Sequence, residues 1–380
     1  MILLKLNTFK IAVVANTGWN IVNFRLGLIK ALIDKGYEVI AIAPADEYTS
    51  RIEAVGCRFI PLKRLERKGT NPFNDFKLMT ELYKIYKKES VDIALQYTIK
   101  PNIYGSIAAS LAKVKTICTV TGLGYSFIND NLISKFARLL YRFAFKRASL
   151  VAFQNEDDKK LFIEKKLVEE KKTIIIRGSG INCIKYAPVP KNEISDNISF
   201  LFVGRLLYDK GIIEFLNAAE IVKKVFPDTI FKILGSLDID NPSCISKEIL
   251  NDYINRSVIQ YLGTSDDVKE IMRNADVVVL PSYREGLPRV MLEAISMAKP
   301  VITTDTAGCR DTVLDGVSGF MVPIKNTEKL ADAMLRMLKL SDSDRENMGL
   351  NGRNLALDQF DEKAIIDNYF SKIDFLLNSK

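Results

Sequence analysis

Short apolar runs alternate with amphipathic segments along most of this chain, and this alternation restricts the fold more than any other feature. The runs in the first half are FKIAVVAN (9–16), YEVIAIAP (37–44), CRFIPL (57–62), VDIALQYT (91–98), TICTVTGL (116–123) and LVAFQN (150–155). Between them, segments such as 73–89 and 101–113 carry apolar residues at helical spacing. Near-continuous apolar strands separated by helices are typical of a parallel sheet covered on both faces. The first half therefore predicts a doubly wound α/β domain.

The same alternation begins again after a Pro-rich polar stretch at 186–197. The second set of runs is ISFLFVGR (198–205), TIFKILG (229–235), VIQYLG (258–263), ADVVVLPS (275–282) and PVITTD (300–305), with helices predicted at 211–225, 266–274, 288–298, 327–339 and 343–357. Two Rossmann-like, doubly wound domains facing a central cleft would place ligands at the carboxyl ends of their strands. We predict an N-terminal domain over residues 1–188, a C-terminal domain over 189–360, and a helix in 361–380 that packs back on the N-terminal domain.

Histidine is absent from the 380 residues, and its absence excludes several classes of enzyme. Hydrolases with a Ser-His-Asp triad, Cys-His proteases and enzymes with His-ligated metals all need it. The five cysteines stand singly without a CxxC spacing, which favours reduced thiols in a cytosol over disulfides or a zinc site. The N-terminal run MILLKLNTFKIAVVAN lacks a small-residue cleavage site and is predicted to be a buried strand, not a signal sequence.

Positive charge is concentrated in the first half. Residues 1–190 hold 31 Lys and Arg against 17 Asp and Glu, whereas the rest holds 23 against 29. The segment 131–147, NLISKFARLLYRFAFKR, adds a basic amphipathic helix that would suit an anionic membrane face. Two simpler explanations are a helix that covers the sheet with a solvated basic side and a codon bias that favours lysine. We favour membrane contact because the whole half is basic.

The loop after the first run contains Gly18, which permits close approach of a ligand to the backbone. A helix predicted to begin near Ile21–Asn23 would direct its N-terminus toward an anionic group. No GxGxxG motif is present, so a dinucleotide-dependent dehydrogenase is weakly supported. The alternative is that Gly18 only shapes a turn.

Two cations follow the first run of the second half. Arg205 ends the strand in FVGRLLYDKG, and Lys210 precedes the next helix. Two cations around one turn at a strand mouth could hold a diphosphate together, although an RxxxxK spacing is also common by chance.

The stretch EGLPRVMLE (285–293) places two carboxylates at another strand-to-helix junction. Pro288 suits the first helical turn, and the amides of Gly286, Leu287 and Arg289 would open toward a phosphate. Glu285 and Glu293 suit opposite ends of a nucleotide-sugar better than a close acid/base pair. From spacing alone, two surface glutamates remain the simpler explanation.

The pair Asp238 and Asp240 in GSLDIDNPSC has the spacing of a metal-binding DxD motif. It follows a predicted strand in a polar loop. We favour a solvated loop over a metal site.

Together these motifs resemble the glycosyltransferase family 4 group of GT-B enzymes. The resemblance is carried by FVGRLLYDKG, YLGTSDD, PSYREGLPRVMLEA and PVITTD in this order, and it covers essentially the whole chain. More narrowly, KPNIYG (100–105), TGLGYSF (121–127) and LDIDNPSCIS (237–246) resemble enzymes that extend polyprenyl-diphosphate-linked saccharides, such as bacterial α-1,3-N-acetylgalactosaminyltransferases.

The resemblance implies a role for each candidate residue. Arg205 and Lys210 would hold the donor diphosphate, Glu285 would bind hydroxyls of the transferred sugar, and Glu293 would bind the ribose. The resemblance also implies that Leu262 and Thr264 flank the uracil, that the Gly18 loop closes on the β-phosphate, and that Gly286, Leu287 and Pro288 belong to the donor site. Many relatives place a histidine at the mouth of a first-domain strand, and Thr121 or Thr98 is expected in its place here.

The implied activity is retaining transfer of N-acetylgalactosamine, or of another hexose or N-acetylhexosamine, from a UDP-sugar to a polyprenyl-diphosphate-linked saccharide, without a metal or other cofactor. The implied location is cytoplasmic, peripheral at the inner face of the cell membrane, in bacterial surface glycan assembly. A UDP-sugar 2-epimerase of the same architecture and a non-catalytic nucleotide-sugar-binding protein remain alternatives. Binding to nucleic acid is not expected, because no recognised motif or aromatic platform supports it.

Overall fold

The computed structural model describes residues 9–66, 71–123, 132–192, 197–239 and 241–378. The chain forms two compact units. Unit 1 runs to Ser179 and takes in the C-terminal segment from Ile365, and unit 2 runs from Gly180 to Ala364. Each unit is built on its own parallel sheet.

Unit 1 contains a seven-stranded sheet. Its strands are β1 (Lys10–Val14), β2 (Glu38–Ala43), β3 (Arg58–Pro61), β4 (Ile93–Tyr97), β5 (Lys115–Val120), β6 (Leu150–Phe153) and β7 (Thr173–Ile175), in the spatial order β3-β2-β1-β4-β5-β6-β7. All neighbouring strands are parallel, so their carboxyl ends share one edge of the sheet. The chain begins the sheet at its central strand β1. The order in which strands are added then reverses between β1 and β4, and ligands usually bind at such a point in a doubly wound sheet.

The helices of unit 1 follow the strands. They are α1 (Gly18–Phe24), α2 (Leu26–Asp34), α3 (Thr49–Glu53), α4 (Pro72–Glu89), α5 (Ser106–Ala112), α6 (Leu132–Phe145) and α7 (Glu156–Glu164). Side chains define several of their starts: Asn71 caps α4, whose first residue is Pro72, and Asn155 caps α7. Both arrangements satisfy backbone N–H groups that have no partner inside the helix.

Unit 2 contains a six-stranded parallel sheet. Its strands are β8 (Ser199–Val203), β9 (Ile230–Leu234), β10 (Gln260–Tyr261), β11 (Val277–Leu280), β12 (Val301–Thr304) and β13 (Gly319–Val322), in the order β10-β9-β8-β11-β12-β13. Its helices are α8 (Ile212–Val225), α9 (Lys247–Asn255), α10 (Val268–Arg273), α11 (Arg289–Ser296), α12 (Thr327–Lys339) and α13 (Asp342–Gln359). The reversal point in this sheet lies between β8 and β11.

The last helix, α14 (Glu362–Asn378), packs on the first sheet. Its buried residues Ile365, Tyr369 and Ile373 recur every four positions and join the core formed by one face of β1 and β4. The Tyr369 hydroxyl lies 3.2 Å from Thr119 Oγ1 on β5. The end of the chain therefore belongs to the core of unit 1.

Both sheets are covered on both faces, which confirms the predicted doubly wound α/β class. On β1, Ile11 and Val13 belong to one apolar cluster and Ala12 and Val14 to another, and all four are fully buried. A strand with both faces buried has no polar side, which explains why the sequence shows continuous apolar runs.

The structure differs from the sequence-based assignment at the sheet edges and at some helix ends. The edge strands β7 and β13 were not predicted, because β7 has only three half-buried residues and β13 begins on a glycine. The helix predicted at 101–113 is a π-helical turn, Pro101–Gly105, followed by α5. Helix α1 begins earlier than predicted because Thr17 caps it through a 3.0 Å hydrogen bond from Asn20 N.

Candidate functional site

The loops after β8 and β9 meet at the carboxyl edge of the second sheet. A Cβ atom at Gly235 would lie 1.8 Å from the carbonyl oxygen of Gly204, so the two backbones are in direct contact. Gly235 N donates to Gly263 O at 2.7 Å, which brings the turn after β10 to the same place. Glycine is required at Gly235 because any side chain would separate these loops.

Arg205 leaves β8 at this edge and forms an ion pair. Its Nη1 donates to Asp238 Oδ2 at 2.9 Å, with the Arg205 side chain 46% exposed and that of Asp238 26% exposed. The loop that carries Asp238 is fixed to the chain after Arg205, since Leu206 N donates to Ser236 O and Tyr208 N donates to Ser243 O. Asp238 is thus a half-buried partner of the cation, while Asp240 lies outside the described residues.

Lys210 ends a 3₁₀ turn after β8 and contacts Glu285. Its Nζ donates to Glu285 Oε1, and both side chains are less than one-quarter exposed. The turn is placed by Gly211, which has φ of +71° and whose Cβ would lie 2.0 Å from Pro281 O at the end of β11. The fold therefore brings together a cation and a carboxylate that are 75 residues apart.

Backbone contacts also fix the position of Glu285. Its N–H donates to Ala307 O at 3.1 Å, and a Cβ at Gly308 would lie 2.4 Å from Gly286 O. The loops after β11 and β12 are therefore packed against each other. Burial, reinforced by the negative charge of Glu285, raises the pKa of the neighbouring Cys309 thiol to about 12, so this cysteine stays protonated.

Glu293 lies on α11, whose N-cap is Pro288 in extended conformation instead of the first helical residue that was predicted. Glu293 is buried and accepts a 2.9 Å hydrogen bond from Arg289 Nε. Burial, with Glu293 beside it, raises the pKa of the Tyr186 hydroxyl to about 12. The carboxylate therefore has partners within unit 2 before any ligand is considered.

The remaining candidates of unit 2 lie at the same edge. Leu262 and Thr264 follow β10 and are exposed, with Leu262 N donating to Ile233 O at 2.8 Å. Gly286 and Pro288 are buried and Leu287 is half-buried between β11 and α11. The candidates predicted for the C-terminal half all follow β8, β10 or β11.

Gly18 belongs to unit 1, where it is the first residue of α1. A Cβ there would lie 2.2 Å from Asp46 Oδ1, and Asp46 also accepts a 3.1 Å hydrogen bond from Trp19 N. Glycine at this position is explained by the contact with Asp46. A contact of its loop with a phosphate remains a prediction.

Three partners at the second sheet were not predicted from the sequence. Asp238 was assigned to a solvated loop, Arg289 was considered only for its amide, and Tyr186 was not considered. Arg289 and Glu293 are four residues apart on a helix, which is a recognisable ion-pair spacing. The pair of Arg205 and Asp238 has no such signal, because 33 residues separate them.

The described residues contain neither a cluster suited to a metal ion nor a helix suited to cross a membrane. Over the described ranges, no group of three or more cysteine, aspartate or glutamate side chains is placed to hold a metal ion. Within the same ranges, no helix is long and apolar enough to cross a membrane.

Comparison with protein families gives two matches. Residues 188–355 match the family described as glycosyl transferases group 1, and residues 10–155 match the family described as glycosyl transferase 4-like. The first match includes strands β8 to β13, and the second includes β1 to β6.

Comparison with known proteins agrees with these matches. An N,N'-diacetylbacillosaminyl-diphospho-undecaprenol alpha-1,3-N-acetylgalactosaminyltransferase of Campylobacter jejuni is 31% identical over 97% of this chain and 100% of its own length. A UDP-Gal:alpha-D-GlcNAc-diphosphoundecaprenol alpha-1,3-galactosyltransferase of Escherichia coli is 29% identical over 74% of this chain and 76% of its own. The solved sucrose-phosphate synthase of Thermosynechococcus elongatus is 19% identical, covers 98% of this chain and 100% of that one, and superposes with a TM-score of 0.82.

Proposed function

Since this chain belongs to the group 1 glycosyltransferases of GT-B fold, we propose that it transfers a sugar from a UDP-sugar to a polyprenyl-diphosphate-linked saccharide. The two relatives named above support this substrate class, because both names describe transfer onto a diphospho-undecaprenol-linked sugar and one names a UDP-linked donor. We assign donor binding to unit 2 and acceptor binding to unit 1. The transferred sugar is N-acetylgalactosamine, or another hexose or N-acetylhexosamine.

The observation that carries the proposal is the arrangement of charge at the second sheet. Arg205 and Lys210 both lie in the loop after the carboxyl end of β8, and each is paired with a carboxylate of its own unit. A donor diphosphate would replace Asp238 and Glu285 as the partner of these two cations. Glu285, once separated from Lys210, would accept hydrogen bonds from hydroxyls of the transferred sugar, and Glu293 would accept them from the ribose.

The proposed reaction retains the α configuration. The bond between the anomeric carbon and the UDP oxygen breaks while the acceptor hydroxyl approaches the same face and forms the new glycosidic bond. Without a histidine in the chain, the departing β-phosphate oxygen takes the proton of that hydroxyl. Arg205 and Lys210 stabilise the negative charge that develops on UDP, so catalysis rests on positioning and charge stabilisation, without a metal.

Unit 1 supplies a surface for the lipid end of the acceptor. One side of α6 packs in the core through Tyr141 and Phe145, and the other exposes the apolar side chains Phe136, Leu139 and Phe143. The basic residues of the segment are Lys135, Arg138, Arg142, Lys146 and Arg147. Apolar side chains among cations suit an anionic bilayer surface, so we place the enzyme at the cytoplasmic face of the cell membrane as a peripheral protein.

The test is transfer by the purified protein. It is incubated with a panel of UDP-sugars and short prenyl-diphosphate-linked saccharides, with and without EDTA, and the products are measured by mass spectrometry. We expect one sugar to be added to the acceptor at a rate that EDTA does not change. Conversion of the UDP-sugar to its epimer without an acceptor would instead identify an epimerase, and binding without turnover would identify a sensor.

A further inference from the structure

The carboxyl edge of the first sheet contains polar atoms that the fold leaves unsatisfied. Asn20 Oδ1, Arg25 Nε, Thr98 Oγ1 and Asn102 Oδ1 are buried and have no hydrogen-bond partner among the described residues. They lie on the segments that follow β1 and β4, which are adjacent strands with Val14 opposite Gln96. Buried polar groups in folded proteins almost always have partners, so a local concentration of exceptions indicates a site that a ligand completes.

Arg25 is the most informative of these residues. It interrupts the helical path between α1 and α2, and its guanidinium carbon lies 3.9 Å from the centre of the Tyr97 ring. The residue is only 3% exposed, yet no carboxylate of the described residues is paired with it. In contrast, the nearby Lys100 is paired with Asp75 at 2.8 Å. An aromatic face attracts a cation but carries no net charge, so the buried guanidinium is left without an anion.

Thr98 adds a hydroxyl in a strained conformation. It follows β4 with φ of +72°, a region that β-branched residues avoid, and its Oγ1 is one of the unpartnered atoms. The π-helical turn begins three residues later, and within it Asn102 N donates to Thr98 O at 3.0 Å. Strained backbone and π-helical turns both concentrate at functional sites. Ile99, which follows Thr98, and Trp19, which precedes Asn20, are 37% and 46% exposed, so both segments have side chains that reach solvent next to the unpartnered atoms.

From this geometry we propose that Arg25 and Thr98 bind a phosphoryl group of the acceptor's diphosphate, so that unit 1 recognises the lipid-linked end of the acceptor. The planar guanidinium donates two parallel hydrogen bonds to phosphoryl oxygens, and the Thr98 hydroxyl donates a third. An uncharged sugar hydroxyl would leave the charge of Arg25 uncompensated. The proposal rests on the proposed function and names the part of the acceptor that unit 1 binds.

The test measures binding of two probes to the full-length protein by titration calorimetry. Farnesyl diphosphate represents the acceptor and UDP represents the donor. For Arg25→Gln we expect farnesyl diphosphate to bind about 10- to 100-fold more weakly, as for the loss of a hydrogen bond to a charged group, and UDP affinity to change less than about twofold. For Thr98→Val, which keeps the shape, we expect a loss of about 3- to 10-fold.

Arg51→Gln is the matched control, because Arg51 also lies over a tyrosine ring, that of Tyr48, but is exposed. If Arg25→Gln fails to fold, Arg25→Lys is tested instead. This variant keeps the positive charge but cannot form the bidentate hydrogen bonds of a guanidinium, so we expect it to bind farnesyl diphosphate more weakly than the wild type. Unchanged affinity for farnesyl diphosphate in folded Arg25 and Thr98 variants overturns the proposal, as does a selective loss of UDP affinity, which would assign the phosphoryl group to the donor. If the wild type binds farnesyl diphosphate through Arg25 but transfers no sugar, the proposed function fails and this site stands.

Discussion

Lys210 and Glu285 form an ion pair at the carboxyl edge of the second sheet, although they come from loops after different strands. The sequence suggested separate ligands for them, a diphosphate for Lys210 and sugar hydroxyls for Glu285. If the proposed donor site is correct, a UDP-sugar would separate this pair in order to contact both side chains. Arg205 and Asp238 repeat this relationship at the next loop.

Replacement of either cation is expected to slow the chemical step. In the proposed mechanism Arg205 and Lys210 stabilise departing UDP, so we expect Arg205→Ala and Lys210→Ala each to lower kcat by about 10² to 10³. Initial rates at saturating donor measure this effect. Lys224→Ala, at an exposed lysine on α8, is the control. Near wild-type turnover in both site variants would contradict the assignment.

Removal of the carboxylate beside Arg205 is expected to strengthen UDP binding. Asp238→Asn keeps the shape of the loop but leaves Arg205 without its counter-charge, so a diphosphate no longer competes with Asp238. We expect the Kd for UDP to fall about 2- to 5-fold, consistent with a partly exposed ion pair. Titration calorimetry measures the change. Asp252→Asn is the control, since Asp252 on α9 pairs at 3.0 Å with Arg256, the residue that follows this helix. Weaker UDP binding would show that Asp238 serves to orient Arg205.

Glu293→Gln is expected to weaken UDP binding, because the carboxylate that we propose accepts from two ribose hydroxyls becomes an amide with one acceptor oxygen. We expect about a 10-fold rise in the Kd for UDP, with a much smaller change for inorganic pyrophosphate. The comparison of the two ligands separates contact with the nucleoside from a general disturbance of α11. Equal losses for both would assign Glu293 a structural role with Arg289 and Tyr186.

Gly308→Ala is expected to destabilise the protein more than Gly316→Ala. Both glycines have positive φ, +76° and +73°, so the strain of an L-residue is the same. Only at Gly308 would the new Cβ also meet backbone, 2.4 Å from Gly286 O, whereas Gly316 has open space. We expect about 1 kcal/mol lost for Gly316→Ala and about 3 kcal/mol or more for Gly308→Ala, measured by urea unfolding. Equal losses would argue against tight packing between the loops after β11 and β12.

Removal of the exposed apolar side chains of α6 is expected to reduce membrane binding. Replacement of Phe136, Leu139 and Phe143 together by Ser removes exposed apolar area without a change in charge. We therefore expect the fraction of protein that floats with vesicles containing about one-third anionic lipid to fall several-fold. UDP affinity should stay unchanged. Leu111→Ser, at a 61% exposed position on α5, controls for exposed apolar area elsewhere in the unit. Undiminished flotation would exclude this surface as the membrane contact.

The central strands were predictable because they are buried on both faces. The run 9–16 contains β1, and the run 275–282 contains β11. Both strands are apolar where they are buried, because neither of their faces is exposed to water. The edge strands β7 and β13 were missed because an edge position needs little apolar sequence. The π-helical turn at Pro101–Gly105 was missed because a single turn of this kind leaves the apolar pattern almost unchanged.

The sequence by itself determined the class of fold and the loops that carry charge, because burial on two faces and the order of strands and helices are local properties. It also showed that none of the 380 residues is a histidine, so the proposed mechanism assigns no proton transfer to one. Only the tertiary structure decided the partners. Asp238 lies beside Arg205 and Glu285 beside Lys210 because loops from neighbouring parallel strands converge at one edge of the sheet, whatever their separation along the chain. For the same reason, only the structure showed that Arg25 is buried over Tyr97 with no carboxylate of the described residues paired to it.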